Sequence, residues 1–396
     1  MTRRRQAAEG GISAYQTKAG LRYRVDFSML DDYGKPKRQT KGGFLTKKAA
    51  GESLLDLRTQ VKAGRYVKKT SQTVGQYMTE WLDGLRLGPT TVGVYRRLNR
   101  LHVEPYLGKL GLQELTSGRL SKHYRELERS GWKGRGERTG LGLNTVTKVH
   151  SLLSGALAKA VADGILAINP AAKADPPTAA EARPGEMQVW SPAQIRFFLG
   201  WAEENKAEWF PIWHLLFSTG ARRGEVMGIQ WKDVDLAAGT LAIRRSINVL
   251  SEVGKRRQIL VGPPKNRRAR NVALDTRTVA VLRAYRRERG DMSLTLVAGD
   301  RYVFGDLSGG FRDPNNVTEA FARHIRLATT PGVDHPRIRV HDARHSHATA
   351  LLLAGTPVQV AAERIGDDPG TMLRVYAHVL PGQQRAAAEA VATLFS

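Results

Sequence analysis

Between Asn169 and Glu186 the chain carries Pro170, Pro176, Pro177 and Pro184 and almost no large apolar residue, so this stretch cannot build a core and divides the sequence. The segment after it starts sharply. Ser191 is placed to cap a helix, Pro192 to occupy its first position and Gln194 its third, with Trp190 and Ile195 able to staple the entry. A chain of 396 residues exceeds one ordinary domain. The expected division is 1–66, 67–175, a linker at 176–186, and 187–396.

The first segment predicts a small three-stranded sheet backed by one helix. In 21–29 Leu21, Tyr23, Val25, Phe27 and Met29 alternate with Arg22, Arg24, Asp26 and Ser28, a strand with one apolar face. DDYGKP at 31–36 is a turn and 37–44 a basic return strand; Leu54, Leu57 and Val61 then recur at helical spacing. The second segment is helical, most plainly where Val149, Leu152, Leu153, Ala156, Leu157, Ala160 and Val161 form one apolar stripe. Its basic residues Arg96, Arg97, Arg100, Lys122 and Lys148 are candidate phosphate contacts. In the third segment FPIWHLLF reads as a buried helix ended by Gly220. TLAIRRSINVL, KRRQILVG and RNVAL read as strands, with turns at 252–255 and at PPKNRRA.

Lysine and arginine outnumber aspartate and glutamate 62 to 37, a net charge of +25 that favours a polyanionic partner. The absence of cysteine removes disulfides and thiolate metal sites. MTRRRQ is followed by no apolar run, so no secretory signal is expected, and no uncharged apolar run approaches the ~18 residues of a membrane span.

Two clusters carry chemistry. His341 and Arg344 sit three residues apart before an apolar run, one face of a predicted helix; a guanidinium fork suits phosphate oxygens and an imidazole can move a proton. His341 and His345 also have the spacing of a zinc-binding pair, but no third ligand is evident. Upstream, Arg222 in STGARRGEV stands at a junction between helices, with Glu225 three residues on.

TGAR at 219–222, Glu225, HDARHSHAT at 341–349 and Tyr376, 32 residues beyond Arg344, together resemble the tyrosine recombinases, in particular phage-type integrases. The resemblance spans the chain. It implies a multidomain α+β protein: an arm-binding-like sheet and helix, a helical core-binding domain, and a mainly α catalytic domain with a small antiparallel sheet. It further implies that Arg222 and Arg344 stabilise the charge of a pentavalent phosphate, that Tyr376 attacks to give a 3′-phosphotyrosyl bond, and that His341 assists proton transfer. A hairpin lysine would protonate the leaving 5′-oxygen; Lys265 matches the family's placement and Lys255 is the runner-up. Asp367 departs from the family, which has His or Trp nine residues before the tyrosine. It either orients Arg344 or His341, the preferred expectation, or, like Asp368, caps the helix bearing Tyr376.

The expected function is integration or excision of a mobile element without metal, nucleotide or other cofactor. The expected partners are double-stranded DNA attachment sites and three further copies in a homotetramer, with an excisionase and a host DNA-bending protein as candidates. A cytoplasmic, nucleoid-associated protein without membrane contact is implied. The alternatives are a catalytically idle DNA-binding regulator and a type IB topoisomerase-like enzyme.

Overall fold

The structure is a computed structural model, and it describes residues 11–30, 35–63, 66–132, 134, 137, 139–183, 185, 187–250, 257–329, 336–376 and 384–395. The chain divides into two compact units, the first of residues 1–87 and 94–183, the second of residues 88–93 and 184–396.

The first unit opens with strands β1 (Ile12–Thr17), β2 (Gly20–Leu30) and β3 (Pro36–Phe44) in an antiparallel sheet of that order. Helix α1 (Lys47–Lys62), capped by the Thr46 hydroxyl, buries Ala50, Leu54 and Leu57 against Val25 and Phe27. The alternation in β2 holds through Tyr23, Val25 and Phe27, which face α1, and a register shift opposite Tyr23 and Val25 places the extra residue in β3. Leu21, next to the β1–β2 turn, is half exposed, and on the other face Asp26 is buried, accepting from Arg38 and Thr40. The predicted turn at 31–36 falls largely outside the described residues.

Helices α2 (Val74–Asp83), α3 (Pro89–Leu98), α4 (Glu104–Leu107), α5 (Ser117–Ser130) and α6 (Leu143–Ala162) follow, with a π-helical turn over Asn99–Val103 leading into α4. Pro105 at the start of α4 lacks an N–H, so the ladder cannot run on unbroken there. The predicted stripe of α6 is buried from Val149 through Ala160. Pro170 and Ala171 are buried as well, so the proline-rich stretch begins as part of this core; Asn169 ties it down by donating to the Ser154 carbonyl.

The second unit contains α7 (Pro192–Glu204), α8 (Phe210–Thr219), α9 (Arg223–Met227), β4 (Val234–Asp235), β5 (Thr240–Ile243), β6 (Ser246–Leu250), β7 (Gln258–Gly262) and β8 (Arg270–Ala273). It closes with α10 (Thr276–Met292), α11 (Pro314–Ala328), α12 (Val340–Leu353), α13 (Val358–Ile365), α14 (Pro369–Tyr376) and α15 (Gln384–Phe395). Ser191 and Gln194 form the predicted reciprocal cap of α7. Trp190, Phe198, Trp213, Phe217 and Phe321 fill the main core.

One expected strand is two. TLAIRRSINVL breaks at Arg244–Arg245, and among the described residues β5 joins β4 and β8 while β6 pairs with β7 alone. The cause is Arg245, whose guanidinium leaves the strand to meet the buried Asp233 at 2.6 Å and the Gly228 carbonyl at 3.3 Å.

Candidate active site

Two glycines organise the site. α8 ends at Gly220 with φ 64°, and α13 ends at Gly366 with φ 71°. A Cβ on Gly220 would lie 2.6 Å from the His347 ring, and one on Gly366 2.6 Å from the Arg270 guanidinium. The free carbonyls of a helix C-terminus attract cations, and each of these glycines supplies one to an arginine. Arg344 Nη1 donates to Gly220 O at 3.0 Å and also to Ile365 O; Arg222 Nη2 donates to Gly366 O at 3.1 Å. In this way α12 and the α8–α9 junction, far apart in sequence, deliver two guanidiniums to one place.

Asp367 follows the second glycine and joins them. One carboxylate oxygen accepts from Arg344 Nη2 at 2.7 Å and the other from Arg222 Nη2 at 3.2 Å. Helix capping is left to Asp368, which accepts from the backbone N–H and the hydroxyl of Thr371. Beneath them Glu225 is buried, accepting from Arg222 through the backbone N–H and Nη1 at 3.0 Å each and from Arg270 Nη2 at 2.7 Å. Burial alone would raise the Glu225 pKa, but the Arg270 and Arg222 hydrogen bonds and charges hold it below the usual carboxylate value.

His341, in the first turn of α12, and Lys265, on the loop from β7 to β8, line one cleft together with Arg222, Arg223 and Arg339. The protein packed around the His341 ring, and then the Arg344 charge, hold its pKa below the ordinary imidazole value. Lys265 is exposed, and its loop turns through Arg267 at φ 57°. Lys255 lies outside the described residues.

Tyr376 ends α14 and is buried with Ala348, Leu352, Ala361 and Met372. Its hydroxyl is 2.5 Å from Nδ1 of His345. Burial pushes the phenol up to about 12, against a lowering by the nearby Arg344. Burial, and next the charge of His341, press His345 down to about 4. The tyrosine contact therefore belongs to the second histidine of HDARH, a residue that stood out in the sequence only as half of a histidine pair. No spacing rule links it to a tyrosine 31 positions away. Nothing in the sequence distinguishes Arg270, at the start of β8, from Arg267 and Arg268 just before it. Among the described residues no group of three or more His, Cys, Asp or Glu side chains could hold a metal ion.

Residues 191–383 match the model of the phage integrase family, and residues 73–127 that of the phage integrase N-terminal SAM-like domain. The chain belongs to the phage integrase family of tyrosine recombinases. This recombinase is 24% identical over 377 residues to the ICEBs1 integrase of Bacillus subtilis (strain 168), covering 93% of the chain and 96% of that protein. It is 25% identical over 395 residues to a tyrosine recombinase XerC-like protein of Caldanaerobacter subterraneus subsp. tengcongensis, covering 94% and 96%. Its fold is shared with the Tn1549 transposon integrase in complex with a circular intermediate DNA, at 19% identity and a TM-score of 0.66 over 81% of the recombinase and 99% of that chain. A lambda integrase tetramer bound to a Holliday junction aligns at 15% identity with a TM-score of 0.52, over 90% and 95%. The recombinase is an enzyme of site-specific DNA breakage and rejoining.

Proposed function

We propose that this recombinase integrates or excises a mobile element by cutting and rejoining double-stranded DNA at attachment sites, with Tyr376 as nucleophile. The observation that supports this best is the convergence of Arg222 and Arg344, 122 positions apart, on one anion, the Asp367 carboxylate. Guanidiniums fixed before substrate arrives suit the charge that grows on phosphate oxygens in a pentavalent transition state. Tyr376 attacks phosphorus, forming a 3′-phosphotyrosyl bond as the bond to the 5′-oxygen breaks. Lys265 gives that oxygen its proton, a task arginine cannot perform, and His341 assists proton transfer at the phosphate. The bond energy stays in the protein linkage, so rejoining needs neither metal nor nucleotide.

Residues 1–66 serve as an arm-type DNA-binding domain and 67–175 as a core-binding domain, joined by the 176–186 linker to the catalytic domain at 187–396. The net charge of +25 supports binding along phosphate backbones. The tetrameric lambda integrase on its junction supports a homotetramer on DNA as the working assembly. An excisionase and a host DNA-bending protein are the further partners such a synapse would take. No helix among the described residues is long and apolar enough to cross a membrane, and the site of action is the nucleoid.

Nicked duplexes carrying the element's own flanking sequence test the central claim. The parent protein should form a covalent protein–DNA adduct, and Tyr376→Phe should bind the same duplex without forming one. An adduct from the Phe variant overturns the assignment.

A further inference from the structure

We infer that His345, and not His341, takes the proton from the attacking tyrosine. This rests on Tyr376 being the nucleophile and adds the group that activates it. His345 Nδ1 is the hydrogen-bond partner of the Tyr376 hydroxyl, and the two rings lie 5.7 Å apart, tilted. His341, one helical turn earlier on α12, meets the His345 ring edge-on at 4.8 Å and lines the solvent cleft instead. The neutral form of His345 has a lone pair free on Nδ1, which requires its proton on Nε2. With the phenol proton pointing at Nδ1, the oxygen's remaining lone pairs are turned away from the imidazole.

A phenol at about 12 will not ionise onto a resting imidazole at about 4. The transfer becomes favourable only as the oxygen bonds to phosphorus and its acidity climbs steeply, so a base poised between the initial and final acidities is effective. The groups facing the ring suit it. Burial first, and then the charges of His341, Arg344 and Arg339, keep the imidazole neutral in the free enzyme, whereas Asp342 from α12 favours the imidazolium. The balance is complete: the Tyr376 Oη–phosphorus bond forms and the phosphorus–5′-oxygen bond breaks. The phenol proton passes to His345 and Lys265 gives one to the leaving oxygen; rejoining reverses both.

The test is cleavage of the nicked flanking-sequence duplex by His345→Ala, His345→Asn, Lys265→Ala and Tyr376→Phe, each on an ordinary phosphodiester and on a 5′-bridging phosphorothiolate. His345→Ala should lose on the order of 10²-fold or more on both substrates, while Lys265→Ala recovers on the sulfur-bridged one, because only the leaving side is relieved of its acid. His345→Asn keeps an acceptor near Nδ1 but cannot carry off a proton, so it should be as slow as Ala. Cleavage by either His345 variant within threefold of the parent, measured on protein with an unchanged melting temperature, overturns the inference. So does recovery of His345→Ala on the phosphorothiolate. An adduct formed by Tyr376→Phe would instead refute the nucleophile on which it rests.

Discussion

Arg344 and Asp367 form an ion pair at 2.7 Å with the arginine almost wholly buried, and the carboxylate's other oxygen holds Arg222. A carboxylate in a phosphate-binding site would repel its substrate were it not saturated by cations, and here both oxygens are taken. Asp367 thus sets the spacing of the two guanidiniums while cancelling part of their charge. Asp367→Ala should lower covalent adduct formation by about tenfold or more through loss of arginine alignment, and any loss of thermal stability should come from the uncompensated charge of Arg344 and not from helix capping, since Asp368 does the capping. Asp367→His should keep substantial activity. Parent-rate cleavage by the Ala variant, read on the nicked duplex, would make the pair a purely structural one.

The proton inventory of the leaving group is open to a separate check. Lys265→Ala should cut cleavage of a normal phosphodiester by roughly 10²-fold or more and recover most of that loss when sulfur replaces the bridging 5′-oxygen, because a thiolate departs unprotonated. An equal defect on both substrates would remove Lys265 and turn attention to Lys255.

Strand exchange should run to the same extent in excess EDTA without nucleotide, the phosphate charge being met by Arg222 and Arg344. Loss of activity in EDTA that zinc or magnesium restores would point to a metal-dependent reaction.

Acid should destabilise the catalytic unit through His347. Its ring donates Nδ1–H to the Phe217 carbonyl at 2.8 Å and accepts from Arg364 Nε at 3.2 Å, so a second proton would face a guanidinium. Burial, then the Arg364 charge, lowers its pKa to about 4. The unfolded chain binds a proton near 6.5 that the folded one refuses, so the histidine's contribution is intact above that pH and is lost as pH falls toward 4. The slope is about 1.4 kcal/mol per pH unit for one proton. Melting temperatures recorded from pH 7 to 4.5 should fall steeply in the parent and less steeply in His347→Gln. Parallel curves would refute the attribution.

The helical core was legible wherever side chains repeat on one face: the stripe of α6 needs no tertiary information, and neither do the Ser191 cap or the Gly220 stop. The break at Arg244–Arg245 was not legible, because nothing near those residues announces Asp233 as the partner that draws Arg245 off the strand. The expected sheet has three strands, but the place of the third does not read off the residues of β1, which neither alternate strongly nor stand between turn signals. At the site the boxes name residue types, but which groups touch depends on the crossing of helices. Asp367 was narrowed to two roles by its position after IG and before a proline. The pairing of Tyr376 with His345, and the sharing of Glu225 between Arg222 and Arg270, arise only when α9, α12, α14 and β8 meet.

The two arginines rest on the main-chain oxygens of Gly220 and Gly366, atoms that every amino acid possesses and no codon change can delete. Loss of those supports comes instead through the local backbone angles and the space beside them, since a side chain at either glycine would strain the first and invade the second. In a saturation mutagenesis map scored for recombination, these positions should stand out as dark columns, intolerant of all nineteen replacements, although neither has a functional group to lose. Purified protein from such variants should carry every catalytic side chain and still present its cations out of register with the phosphate.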